Sequence, residues 1–330
     1  MHSKVLLNKL CRDTFGCGII NSKGAILADV RKQVTTEEGG LIPNKVASHH
    51  ESVKEEVLKQ ALFDAKLSMD AIDLVAISQG PGLPPSLHVG MRFAQQLAKD
   101  YNKPLIGVNH IAGHLEIGRL LTSAKDPVFL FVSGANTQII NREGHRFYVI
   151  GETLDTAIGN MLDKFGRIVG LGFPGGPKIE QLAQQGQWID LPYVVKGMDV
   201  SFSGVLTKAQ QRYKQGAKIE DLCYSLQETC FAMLIEVTER ALAFCDKKEV
   251  LLIGGVAANQ RFSAMLQIMC KERDAKAFAV PLKYAADNPV MIGWTGILQY
   301  LHGEKILAPQ DLHINPIWRI EQVEAVWPSE

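Results

Sequence analysis

A chain of 330 residues can bury a sizeable core and points to two domains rather than one. Its 46% hydrophobic and 21% charged residues are ordinary for a globular protein, and the balance of 35 basic against 35 acidic side chains excludes a polycation. A nucleic-acid partner would then need a local basic patch or a basic partner subunit.

No apolar run reaches the ~20 residues of a membrane helix, and the N-terminus has no signal-peptide core. Cys11, Cys17, Cys223, Cys230, Cys245 and Cys270 show no Cys-x-x-Cys spacing, which predicts reduced core thiols and a cytoplasmic protein. Phe15 to Ile20, the turn Asn21-Ser22-Lys23-Gly24 and Ala25 to Val30 read as a hairpin. A polar loop from Thr35 to Gly40 follows. Val46, Val53, Val57, Leu58 and Leu62 carry helical spacing over 45–66. Asp73 to Ser78 is a short buried strand that runs into the tight loop Gln79 to Pro85; a helix over 86–101 and a strand at Leu105 to Val108 come next.

Directly after that strand stands Asn109-His110-Ile111-Ala112-Gly113-His114-Leu115-Glu116. On a helix over 110–121 the two histidines share one face a turn apart and could converge on one metal ion. Metalloproteases use this spacing with a glutamate beside the first histidine; Ile111 stands there, so that chemistry lacks its base. Two ordinary helix histidines are the plainer alternative.

After Asp126-Pro127 the pattern restarts. Val128 to Val132 is a strand and Ser133-Gly134-Ala135-Asn136-Thr137 a turn; Gln138 to Ile140 and His145 to Ile150 form a hairpin around Asn141-Arg142-Glu143-Gly144. Helices are expected over 155–169 and 178–186, separated by the loop 170–177; residues 196–204 read as a loop, 219–245 as a long helix, 250–253 as a strand and 288–302 as a helix, while the last 25 residues follow no clear pattern. Ile19-Ile20-Asn21-x-x-Gly24 recurs 120 residues later as Ile139-Ile140-Asn141-x-x-Gly144, and Asp73-x-x-x-Ile77 is loosely echoed by Glu249-x-x-x-Ile253. Such repetition predicts a duplicated α/β protein with meander-type sheets. That is the actin-like architecture of sugar kinases and heat-shock ATPases, two facing α/β halves, here divided at 1–124 and 125–330.

Three small-residue loops have the geometry to approach a phosphate. Ser133 to Thr137 adds two hydroxyls, Pro174-Gly175-Gly176-Pro177 opens a helix, and Gly254-Gly255-Val256-Ala257-Ala258-Asn259 joins a strand to a helix. Neither the Walker pattern nor the dinucleotide fingerprint Gly-x-Gly-x-x-Gly occurs. Asp163 would face a nucleotide on a helix starting at Asp155. Asp287, at the start of a helix, reads either as an N-cap or as the carboxylate completing a two-histidine site.

In order along the chain, Asn109-His110-x-x-x-His114, Val132-Ser133-Gly134-x-Asn136-Thr137-Gln138, Gly151 to Asp155, Pro174 to Pro177, Lys196-Gly197-Met198-Asp199, Tyr224 to Thr229, Gly254 to Asn259 and Asp287-Asn288 resemble the tRNA threonylcarbamoyl-adenosine transferase family, the catalytic subunit of the KEOPS complex, over about residues 14 to 328. The details look archaeal or eukaryotic. The resemblance implies one divalent metal, iron(II) or zinc, on His110, His114 and Asp287. Substrate positions fall on Phe131, Val132, Ser133, Gly134, Ala135, Asp163, Gly176, Glu180 and Asn259. It assigns no catalytic residue. It implies threonylcarbamoyl-AMP or ATP as bound nucleotide, tRNA as substrate, and as partners a small protein kinase/ATPase subunit and a dimerising small subunit, with no membrane.

The chain departs from the family in four places, one of them Pro84 where a glycine is usual. Phe131 replaces a tyrosine that archaeal and eukaryotic members use as a further metal ligand. A first loop of the type Gly-x-Glu-x-Thr-Ala-His-Thr is altered to Lys9, Cys11 and Asp13 at its glutamate, threonine and histidine. Pro289-Val290 stands for a usual Gly-Ala. These changes leave two other readings open: a degenerate scaffold subunit, and a small-molecule kinase of the same superfold.

Overall fold

A computed structural model describes residues 4–10 as backbone, and residues 14–34, 42–304, 306 and 308–328 in full. Strands β1 (Lys4–Leu10), β2 (Thr14–Asn21) and β3 (Ile26–Gln33) form an antiparallel meander. Helix α1 (Pro43–Ala65) leads to β4 (Leu74–Gly80), α2 (Pro84–Asp100), β5 (Leu105–Asn109) and α3 (His110–Leu121). Both long helices α1 and α2 open on a proline, whose fixed φ suits the first helical turn. The sheet order is β3-β2-β1-β4-β5, with β4 parallel to both neighbours.

The chain then repeats the plan. A meander of β6 (Val128–Val132), β7 (Thr137–Glu143) and β8 (Arg146–Glu152) is followed by α4 (Ile158–Ile168), α5 (Gly176–Ala183), the short ribbon β9 (Val195–Lys196) and β10 (Asp199–Val200), α6 (Ser203–Lys214) and α7 (Ile219–Cys245). β11 (Glu249–Ile253), α8 (Gln260–Glu272), β12 (Lys276–Ala279), α9 (Leu282–Ala285) and α10 (Pro289–Leu301) complete it. The second sheet runs β12-β11-β6-β7-β8, the same meander plus two parallel strands as the first. The fold is a duplicated actin-like α/β fold. Its sequence repeat marks equivalent pieces: β2 matches β7 and β4 matches β11. Each hairpin turn needs its glycine, since Gly24 and Gly144 both sit at positive φ, 78° and 57°.

The chain forms two compact units, residues 1–120, 144–147 and 287–328 in one and 121–143, 148–286 and 329–330 in the other. By packing, then, α10 and the tail belong with the first unit, whereas the sequence placed them in a second half, 125–330. The reason is visible in the first sheet. Leu74, Val75, Ala76 and Ile77 of β4 are all fully buried, so both faces need cover. Phe93, Ala94 and Leu97 of α2 pack one face with Val57 of α1, and α10 covers the other, with Gly296 lying against Ala76 and Ile106. The tail closes the same unit: Gln95 of α2 donates to the carbonyls of Pro309 and Leu312, and Trp327 is buried.

Several local expectations change. Residues 7–10, counted with a loop, continue β1 and pair with Phe15 to Gly18; Cys11 to Asp13 and the polar loop Thr35 to Gly40 lie outside the described residues. The stretch 196–204 is not a loop but a tight ribbon turning at Gly197 (φ 64°) into α6. Cys17, Cys223, Cys230, Cys245 and Cys270 are all unpaired. Burial pushes their thiols up, Cys223 to about 12 and Cys270 to about 11. No helix among the described residues is long and apolar enough to cross a membrane.

Candidate metal centre and small-residue loops

In the first unit, the buried strand β5 ends at Asn109, which is 1% exposed. Its Oδ1 accepts from the Ile111 and Ala112 amides at 2.9 and 3.1 Å, the geometry of a helix cap, while Nδ2 donates to the Trp318 carbonyl. The cap starts α3 at His110 without slack, which fixes its phase. His110 and His114 are both buried and their rings lie 4.9 Å apart, nearly perpendicular.

Asp287 joins them from the start of α10. Asn288, not Asp287, caps that helix, its Oδ1 accepting from the Met291 amide at 2.9 Å; the N-cap reading of Asp287 is thereby corrected. One residue earlier, Asp287 lies outside the helix, and its Oδ1 stands 2.9 Å from His114 Nε2 and 3.5 Å from His110 Nε2. Close packing of α3 on α10 brings the three together: a Cβ at Gly113 would lie 3.1 Å from Ile292 and 3.3 Å from Met291. One ligand atom from each of the three side chains lies within 4.8 Å of the others. Bonds of ~2.0–2.2 Å to one ion put neighbouring ligand atoms about 3–3.5 Å apart, close to the Asp287–histidine distances. Two imidazoles and one carboxylate suit iron or zinc and leave coordination positions open. The donor set fits such an ion.

The second unit gathers the three small-residue loops around α4. Gly159 lies against the Ser133 carbonyl and Gly134, and Gly175 against Leu162 and Asp163. At Gly254 (φ 100°) a Cβ would sit 2.1 Å from the Val132 carbonyl oxygen. Among the described residues, Gly134, Gly176 and Gly255 have nothing within 4 Å of a would-be Cβ, so the space before each loop is open.

Most expected polar groups are committed to holding these loops. Ser133 Oγ accepts from the Asn136 amide at 3.0 Å, closing its own turn, and Thr137 Oγ1 accepts from Ile158 N at 2.9 Å to start α4. In both bonds the hydroxyl oxygen accepts from the backbone, which fixes its place without using its O–H donor. Phe131 and Val132 are core residues at the end of β6. Ala135 is exposed at the turn.

Helix α4 begins at Ile158 rather than Asp155, and Asp163 Oδ1 accepts from Gly175 N at 2.8 Å, tying α4 to the loop before α5. Glu180 Oε1 accepts from Gln260 N at 2.7 Å. Asn259 Oδ1 caps α8 through Phe262 N, and its Nδ2 donates to the buried Gln227 Oε1 at 2.6 Å. Asp163 and Glu180 each keep a second carboxylate oxygen outside these bonds.

Two residues escaped sequence reasoning. Gln227 is signalled only as a polar break in the apolar run of α7. Asp155 does not enter α4; it accepts from Thr156 N, Phe202 N, Ser203 N and the Ser201 hydroxyl, and so fastens α6 to the end of the meander. Its partial burial opposes ionisation, yet these four bonds prevail and hold the carboxyl well below the usual carboxylate range.

The family model of TsaD, tRNA N6-adenosine threonylcarbamoyltransferase, matches residues 25–294. The chain belongs to this family. It is 50% identical over 316 residues to the tRNA N6-adenosine threonylcarbamoyltransferase of Thermococcus kodakarensis, covering 95% of this chain and 96% of that one. It is 49% identical to a probable bifunctional tRNA threonylcarbamoyladenosine biosynthesis protein of Methanosphaera stadtmanae, of which it spans 58%. Among solved structures, T. kodakarensis HypF superposes with a TM-score of 0.65 at 15% identity, over 95% of this TsaD-family chain and 49% of HypF; that likeness speaks for the fold alone.

Proposed function

We propose that this TsaD-family chain transfers a threonylcarbamoyl group from its AMP anhydride to the N6 amine of the adenosine beside the anticodon of tRNA. The N6–carbonyl bond forms, the bond from the carbonyl carbon to the phosphate oxygen breaks, AMP leaves, and the amine releases a proton. The near-full-length, half-identical match to the Thermococcus enzyme carries the reading. His110, His114 and Asp287 would hold one iron(II) or zinc ion, and a bound ion supplies Lewis acidity to an oxygen of the donor. The buried imidazoles orient the ligand atoms, with Asn109 fixing the helix that bears them. The open backbone at Gly134, Gly176 and Gly255 would take the adenylate, and the second oxygens of Asp163 and Glu180 its ribose hydroxyls. The amine is a weak nucleophile, so positioning should supply most of the rate. The target base must leave its stack to react.

Partners would be of the KEOPS type, a small kinase/ATPase subunit and a dimerising small subunit. The bifunctional relative's name and its extra length support a partner domain. The chain's zero net charge supports a phosphate grip shared with basic partners.

The reaction is tested with purified chain, partner subunits, tRNA and threonylcarbamoyl-AMP, reading modified nucleoside by mass spectrometry. Wild type forms product and carries about one iron or zinc. Asp287→Ala loses the metal and slows transfer by about a hundredfold or more. No product where the Thermococcus enzyme works would overturn the transferase reading; wild-type protein without iron or zinc would overturn the metal.

A further inference from the structure

Asp287 lies outside both sheets and before the first turn of α10, so neither a strand ladder nor a helix holds its main chain. A side chain from far along the sequence reaches it. Arg31, on β3 and 256 positions away, donates from Nη1 to the Asp287 carbonyl at 3.1 Å. Two further N–H groups of its guanidinium bond Asp29, two residues back on the same strand. Nε donates to Asp29 Oδ1 at 2.8 Å and Nη2 to Oδ2 at 2.6 Å. The Asp29 side chain is only 4% exposed.

A two-point Arg–carboxylate fork fixes the plane of the guanidinium as well as its place. With that plane fixed, the Nη1 donors are aimed and cannot swing. Residues after Asp287 are held just as firmly. Asn288 caps α10, and Pro289 packs against Gly16, where a Cβ would lie 3.2 Å away, and near Gly18. Clamping the carbonyl from one side and the following turn from the other leaves Asp287 little beyond its own side-chain torsions.

We propose that Arg31, locked by Asp29, is a positioning residue for the metal-binding carboxylate of Asp287. It acts through the ligand's own backbone and touches neither metal nor substrate. Supporting groups of this kind change metal affinity by about 10–100-fold in metal sites generally, because a ligand held in place loses less freedom on binding. Lysine is a poor replacement, since its ammonium is a point charge with rotatable donors and has no planar fork to fix their direction.

The proposal rests on the metal reading above and is tested apart from catalysis. Full-length metal-free protein is titrated with Co(II), read by its visible absorption, and with Zn(II) by competition. Thermal midpoints of the metal-free forms are measured alongside, with His114→Ala as the non-binding control. Arg31→Met is expected to weaken Co(II) binding about tenfold and alter its spectrum; it also strips the buried Asp29 carboxylate of its Arg31 fork, so its metal-free midpoint falls, whereas Arg31→Lys keeps a charge beside Asp29 and loses less stability. Arg31→Lys should bind as poorly as Arg31→Met, and Asp29→Asn should fall between. The proposal is overturned if Arg31→Met binds Co(II) within about twofold of wild type. It is equally overturned if affinity across the three variants merely follows lost thermal stability. Wild-type protein that binds neither ion overturns the metal reading, and this proposal with it.

Discussion

At the scale of single residues, acidic side chains with similar local sequence do different work, and tertiary partners decide which. Asp287 stands against two imidazoles, 173 positions from His114. Asp163 and Glu180 each brace a backbone amide. Asp155 is a latch whose ionised form is favoured by four donors. A carboxyl held low in the folded protein adds stability that is present above its unfolded value, about 3.9, and is lost as pH falls toward the folded value. Asp155→Asn should therefore lower the thermal midpoint at pH 7, with the gap from wild type closing below about pH 4. Because Asp155 is largely exposed, solvent screening keeps the effect small. Loss of a cap-like acceptor suggests about 1 kcal/mol, or about 2 °C, readable by thermal melts at both pH values. A gap that widens in acid would refute the latch.

Among the elements, the loops around α4 separate glycines that hold the fold from those that leave room. Gly254 combines a positive φ with a backbone contact that no side chain can share, so Gly254→Ala should cost about 2–3 kcal/mol by thermal or urea unfolding. Gly134 has ordinary φ and open surroundings. Gly134→Ala should leave stability within about 0.5 kcal/mol of wild type while raising KM for the adenylate donor, because the methyl intrudes where the nucleotide is proposed to lie. Unchanged KM would remove this loop from the proposed donor site. Helices α3 and α7 were legible in sequence because their apolar spacing is long or their cap is explicit. The start of α4 was not, since Asp155 resembles a helix opener and only its bonds to residues 201–203 reveal its use.

At the scale of the whole molecule, duplication is spelled out in a short repeat, but the chain's return to its first unit is not. Helix α10 covers a sheet face that begins some 280 positions earlier. A fragment of residues 1–124 should consequently be unfolded by circular dichroism and hydrogen exchange, and linking residues 287–328 to it should restore cooperative unfolding. A stable, cooperatively melting 1–124 fragment would show that α10 is dispensable to this core.

Sequence by itself determined the strands other than β1, β12 and the β9–β10 ribbon, the hairpin turns, the internal repeat, the paired histidines and the family, because each is written in residues close together or in motifs whose order suffices. Tertiary structure alone decided that α10 packs with the first unit, that Thr137 Oγ1 takes the Ile158 amide, that Gln227 fixes Asn259, and that Arg31 reaches the Asp287 carbonyl. Periodicity constrains backbone torsions and buried faces. Which polar groups meet depends on packing between segments up to 256 positions apart, and no local pattern encodes that meeting.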